Sequence, residues 1–206
     1  MDGINRISIK SDLFGSGAWR FKKAAPYLPW TNALYRAVFK KIGHELAPGE
    51  ATITCSKEEF TAGYDYQLGI DVILCTTKGE EMTLQEKFLY KGFDTVIVEH
   101  FNDWRTETPG DWHNMKTQFY FVGDDVDHNL ANRFDPWILL DWPATKLRTD
   151  IPWHIRKNQN DGARADFKFA PMGQFPPEVV VACSWDWHEK LAYNKTLGEG
   201  RARTEL

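Results

Sequence analysis

A chain of 206 residues has room for one core, or one core with an elaboration, and not comfortably for two ordinary domains. Its hydrophobic share of 42% and charged share of 26% are those of a folding globular protein, which excludes the fibrous and disordered classes. A formal net charge of −4 excludes a protein that coats nucleic acid through a global positive field, so any DNA contact has to be local.

The first residues make a polar stretch that ends at Gly15-Ser16-Gly17 and reads as an arm or a short strand, without the apolar stretch of a secretory signal, and no apolar run approaches the roughly 20 residues that cross a bilayer. A cytoplasmic address is expected. Pro26 and Pro29 separate a first segment from a second. Thr31 or Asn32 reads as the N-cap of an amphipathic helix over residues 33–46, which Pro48-Gly49 ends. Leu34, Val38, Ile42 and Glu45 fall on one face of that helix, so Glu45 points to the apolar side or, as a terminal residue, out to solvent.

Beyond residue 51 the period changes. Residues 51–55 (ATITC) are β-branched, and residues 68–77 (LGIDVILCTT) make an apolar strand. Lys78-Gly79-Glu80 turns the chain into residues 82–90 (MTLQEKFLY), the second arm of an antiparallel hairpin. Residues 95–100 (TVIVEH) are expected as the third strand of a meander. In the second half, residues 117–122, 137–142 and 179–183 read as strands and 124–133 as a short helix. Residues 158–164 read as a loop and 197–206 as a tail.

Asp71 interrupts an apolar strand, where an ionised carboxylate is costly unless something pairs with it. On the neighbouring strand, residues two apart share a face, so Gln85 and Lys87 project together and a hairpin brings them to Asp71. The same residues also read as a cross-strand polar pair on a solvated face.

The run Gly69-Ile70-Asp71-Val72-Ile73-Leu74, followed by Thr83-Leu84-Gln85-Glu86-Lys87-Phe88 and preceded by a helix ending in Glu45, resembles the PD-(D/E)XK nuclease superfamily in its Gln-x-Lys variant. The resemblance spans about residues 31–100. It implies an α/β, restriction-endonuclease-like core, a helix followed by a mixed sheet with a strand meander. That core would occupy about residues 17–125 of a single nuclease-like domain and be elaborated over 126–206. It also implies a metal-dependent endo- or exodeoxyribonuclease. Asp71 would be the principal ligand of Mg²⁺ or Mn²⁺, with Gln85 in the usual acid's place, the Glu86 backbone carbonyl as a further ligand and Glu45 as an accessory acid. Lys87 would orient water and phosphate. A neutral Gln85 leaves open a non-catalytic nucleic-acid-binding or interaction module on the same fold.

Other signals are weaker. The six histidines match no hydrolase motif. Asp124-Asp125-Val126-Asp127 lacks the spacing of a calcium loop and reads as a solvated turn. Basic groups occur at Arg20, Lys22 and Lys23, at Arg36, Lys40 and Lys41, and between Lys146 and Lys168. Cys55, Cys75 and Cys183 stand apart with no CxxC pair and read as buried free thiols rather than a zinc site. Of nine Trp residues, Trp104, Trp112, Trp137, Trp142, Trp153, Trp185 and Trp187 crowd the second half, where they fill a core or stack on bases or sugars; the last use would make a carbohydrate-binding or structural module.

Overall fold

The structure is a computed structural model that describes residues 25–48, 52–53, 68–90, 92, 94–125, 133–158 and 164–185. The N-terminal arm, the Arg20, Lys22 and Lys23 group, Cys55, Val126, Asp127, Trp187, most of the expected 124–133 helix and 158–164 loop, and the tail lie outside the described residues.

After a 3₁₀ turn at Ala25–Tyr27 comes helix α1, Leu28–Lys41. It begins earlier than the sequence suggests. Pro29 sits in the first turn, where its missing N–H costs nothing, so it opens the helix rather than breaking it. Thr31 and Asn32 are then buried inside it, and the Thr31 hydroxyl donates to the Leu28 carbonyl. The end is earlier too. Gly43, at φ +92°, takes the left-handed conformation, and the bonds His44 N–H to Phe39 O (2.8 Å) and Gly43 N–H to Lys40 O (3.1 Å) close the helix there.

Among the described residues ten strands follow, with two short α-helices among them. They are β1 (Thr52–Ile53), β2 (Val72–Cys75), β3 (Glu81–Leu89), β4 (Thr95–Asp103), β5 (Thr108–Pro109), α2 (Asp111–Asn114), β6 (Phe119–Asp124), β7 (Trp137–Asp141), α3 (Trp142–Leu147), β8 (His154–Lys157), β9 (Asp166–Pro171) and β10 (Val180–Cys183). One six-stranded sheet has the order β1-β2-β3-β6-β7-β10, and a four-stranded sheet has the order β5-β4-β9-β8. The fold is therefore mixed α/β with two sheets. Among the described residues no helix is long and apolar enough to cross a membrane.

The β2–β3 hairpin forms as expected, antiparallel, with Val72 opposite Leu84 and Cys75 opposite Glu81. Its turn is held by Thr76, whose hydroxyl accepts from Lys78 N–H and Glu80 N–H, and by Gly79 at φ +81°. The expected meander does not continue into β4. The open edge of β3 is taken instead by β6, which runs parallel to it from Leu84 opposite Phe119 to Leu89 opposite Asp124. β4 pairs with β5 and β9 and contributes the buried Val96 and Val98 to the face-to-face contact between the sheets.

Period-two alternation in the large sheet produces two cores. Leu84, Phe121 and Leu139 face α1 and pack with Tyr35 and Phe39. Tyr120, Val122, Ile138 and Leu140 face the small sheet and pack with Val96, Val98 and Trp142. Six of the indoles serve these cores: Trp142 is fully buried, Trp112, Trp153 and Trp185 pack on the second cluster, and Trp30 and Trp137 on the first. Cys75 departs from the expected buried thiol, because it alternates out of the β2 core face and is exposed.

Gly123 shows how tightly the α1-side core is filled. A Cβ there would lie 2.5 Å from Phe134 Cγ, and Phe134 is held by Tyr27 (ring centroids 4.4 Å apart) and Phe88 (4.6 Å). Gly123→Ala is therefore expected to destabilise the fold by about 1–3 kcal/mol, the usual cost of overpacking. Urea denaturation checks this, and an unchanged midpoint would show that Phe134 moves freely.

Candidate functional site

Asp71 lies immediately before β2, where the ladder is irregular. Its N–H donates to the Leu84 carbonyl at 2.9 Å, although Val72 is the residue in register with Leu84. Its carboxylate then takes the next donor on β3, with Glu86 N–H to Asp71 Oδ2 at 2.8 Å. The charge sits on the peptide that joins Gln85 to Glu86. A carboxylate bonded to a backbone N–H is a stronger acceptor arrangement than a neutral pair, which accounts for an acid at the margin of an apolar strand.

Gln85 stands in register with Tyr120 of β6 and Lys87 with Val122, so both belong to the face that looks toward the small sheet. Gln85 Oε1 is buried and has no hydrogen-bond partner. Lys87 is half-buried and, among the described residues, takes part in no ion pair. Glu86 alternates to the opposite face, where its carboxylate accepts from the Tyr35 hydroxyl at 2.7 Å. Because a strand residue directs its N–H and C=O to the same side, the Glu86 carbonyl points toward the Asp71 side of β3.

Glu45 is not part of this cluster. Gly43 ends the helix before it, leaving Glu45 exposed on an extended segment that follows the far end of the hairpin, where Thr77 N–H donates to the Glu45 carbonyl at 2.8 Å. Thr77 lies about 15–20 Å along β2 from Asp71 at the usual strand rise.

No protein-family model, curated protein or solved structure matches the chain. The site therefore rests on its own chemistry. Among the described residues no three His, Cys, Asp or Glu side chains are grouped to hold a metal, so a cation at Asp71 would have to draw on amide and carbonyl oxygens. Gln85 Oε1 fits that need. It is a hard oxygen donor, already stripped of water and bonded to nothing.

Two further groups bear on this position. Tyr120 is buried beside Gln85 and its hydroxyl donates to the Ile97 carbonyl. Its acidity is pushed well below that of an ordinary phenol by burial first, then by the charges of Asp111 and Asp71. Tyr120 is thus a neutral wall, and Asp111 on α2 is a second carboxylate within electrostatic reach. Neither was visible in the sequence, because β6 becomes the neighbour of β3 only through a parallel pairing across more than thirty residues.

The Asp124-Asp125 pair, expected as a solvated turn, is buried at the end of β6. Asp125 Oδ2 accepts from the Tyr27 hydroxyl at 2.5 Å, and Tyr27 is held far above the ordinary phenol range by burial first and then by that bond. Asp125 Oδ1, by contrast, is buried with no hydrogen-bond partner.

Proposed function

We propose that the chain is a metal-dependent deoxyribonuclease, an endo- or exonuclease that hydrolyses phosphodiester bonds on a restriction-endonuclease-like core. The observation that carries this reading is the buried, unbonded Gln85 Oε1 next to the peptide that Asp71 grips. Leaving a buried acceptor unsatisfied costs about 1–3 kcal/mol, which a bound cation offsets. Part of the element order supports the reading as well, helix α1 before the β2–β3 hairpin and a strand parallel with β3 after it, although the third meander strand that the resemblance implies lies in the other sheet.

Asp71, Gln85 Oε1 and the Glu86 carbonyl are the residues that would hold Mg²⁺ or Mn²⁺. Such an ion makes bound water more acidic and screens the charge that grows on a phosphoryl group. Lys87 supplies a cation from the protein itself, placed one residue beyond Glu86 to hold a non-bridging phosphate oxygen. The Asp71 bond to Glu86 N–H fixes the carboxylate relative to β3, and Tyr120 closes one side against water.

Cleavage of linear, branched and single-stranded DNA with Mg²⁺ or Mn²⁺ tests the reading. No product, with wild type and Asp71→Ala alike, sinks it. Gln85 gives a sharper test by calorimetric titration. Gln85→Glu is expected to tighten Mg²⁺ binding by adding charge beside Asp71. Gln85→Leu is expected to lose metal binding while leaving the apo protein as stable or more so, since it removes an unsatisfied acceptor. Equal metal affinity in all three proteins would take Gln85 out of the ligand set.

A second reading, a nucleic-acid-binding module on the same fold without catalysis, is favoured by one observation, the distance of Glu45, which leaves Asp71 as the carboxylate at the centre. Retained DNA binding with no heat of metal binding would select it.

A further inference from the structure

Around α2 and α3 three lysines gather; of the carboxylates at the starts of these helices, Asp141 caps α3 by accepting from Ala144 N–H, and Asp111 opens α2. Lys168 is in register with the buried Val98, so its side chain leaves the inner face of the small sheet, and its Nζ lies 3.8 Å over the centre of the Trp112 ring. Trp112 is fixed edge-on by Trp142 (5.5 Å) and Trp153 (5.2 Å). Lys146 comes from the last turn of α3, one turn beyond Trp142. Lys116 is exposed just after α2.

None of these three lysines is in an ion pair among the described residues. Asp166, the carboxylate that faces the group, is engaged elsewhere: its Oδ1 accepts from Phe101 N–H at 2.8 Å and lies 3.4 Å from His100 Nδ1. The repulsion is felt. Lys146 is held below the ordinary lysine range by burial first, then by Lys116 and Lys168, and burial does the same to Lys168. His113 is lowered by burial first, then by His100, Lys168 and Lys146, with Asp166 opposing. Lysines that repel one another in a chain of net charge −4 make a local positive patch that attracts anions.

We propose that Lys116, Lys146 and Lys168, the last of them seated over the Trp112 ring, form a clamp for the phosphate backbone of a nucleic-acid strand that runs into the Asp71, Gln85 and Lys87 site. The position relative to that site comes from the backbone: Lys116 N–H donates to the Leu68 carbonyl at 2.8 Å, and Leu68 leads directly into Asp71. Ammonium groups on flexible stems hold phosphate as point charges without reading sequence, which suits a strand that must slide or be fed toward a cleaving group. The placement of the clamp beside the site rests on the nuclease reading, whereas the clamp itself does not.

The test measures binding in EDTA by fluorescence anisotropy, with a labelled single strand and its duplex, over a series of salt concentrations. Replacing all three lysines by glutamine is expected to weaken duplex binding at least about a hundredfold near 0.1 M salt, and to make the log–log salt slope shallower by about 2–3. The control Lys40→Gln/Lys41→Gln, on α1 across the large sheet, should bind as wild type. Because Lys168 packs on Trp112, Lys116→Glu alone provides a variant that does not depend on that packing, with an expected loss of about tenfold or more.

Wild-type affinity and slope in the triple variant overturn the proposal. So does a wild type that binds inorganic phosphate or pyrophosphate at these lysines but no oligonucleotide. Hydrolysis of bis(p-nitrophenyl) phosphate with Mn²⁺ separates the two readings. Hydrolysis with lysine-independent DNA binding removes the clamp and keeps the nuclease. Lysine-dependent binding with no hydrolysis keeps the clamp and removes the nuclease.

Discussion

Lys87→Ala is expected to lower DNA cleavage by at least about 10²- to 10³-fold, the range seen when one preorganised electrostatic group is removed from a transition state. The fold should not notice. Lys87 is half-buried and in no ion pair among the described residues, so the change in stability should stay within about 0.5 kcal/mol. Metal affinity should be unchanged or slightly higher, since a neighbouring positive charge has gone. Single-turnover cleavage, a melting curve and a metal titration on the same variant read these three quantities. A loss of cleavage that tracks a loss of stability would assign Lys87 to structure, and unchanged turnover would remove it from the mechanism.

Asp71→Ala is expected to have two effects, and Asp71→Asn to separate them. Alanine removes both the proposed metal ligand and the acceptor of Glu86 N–H, leaving a half-buried donor unsatisfied at a cost of about 1–3 kcal/mol. Asparagine keeps an oxygen for Glu86 N–H but not the charge, so it should melt close to wild type while losing metal binding and cleavage. No relief of repulsion with Glu45 is expected in either variant, because Glu45 sits at the other end of the hairpin. If Asp71→Asn melts as low as Asp71→Ala, the charge itself is structural and the assignment to metal weakens.

The part of this site that lies within one hairpin was legible in the sequence. Alternation along residues 82–90 puts Gln85 and Lys87 on one face, and a Gly-containing turn between two apolar runs sets the pairing that brings Asp71 to β3. Glu45 was misplaced because the helical spacing of Leu34, Val38 and Ile42 continues past the point where Gly43 turns left-handed. Hydrophobic period does not register a backbone stop. Proline had the opposite effect at the other end, since Pro29 in a first turn looks the same in sequence as Pro29 before one. The sheet assignment of β4 could not be read locally. Its partner β9 lies about seventy residues away, and an apolar strand fits an edge or a facing layer equally well. Asp111, Tyr120 and the lysine group share that cause, being assembled from segments whose adjacency exists only in the folded chain.

The order of the strands carries a consequence for how the molecule is made. Along the chain, β1, β2 and β3 belong to the large sheet, β4 and β5 to the small one, β6 and β7 to the large, β8 and β9 to the small, and β10 to the large again. Neither sheet can be completed before the polypeptide has visited the other, and the central β3–β6 pair closes only after the intervening β4, β5 and α2 have been laid down. Contacts of such sequence separation make for high contact order and slow folding, with loop-closure entropy lost before the pairings that offset it. The same interleaving ties the layers into one cooperative unit, so that a nick between β5 and β6 would cut through both sheets at once rather than release either as an independent piece.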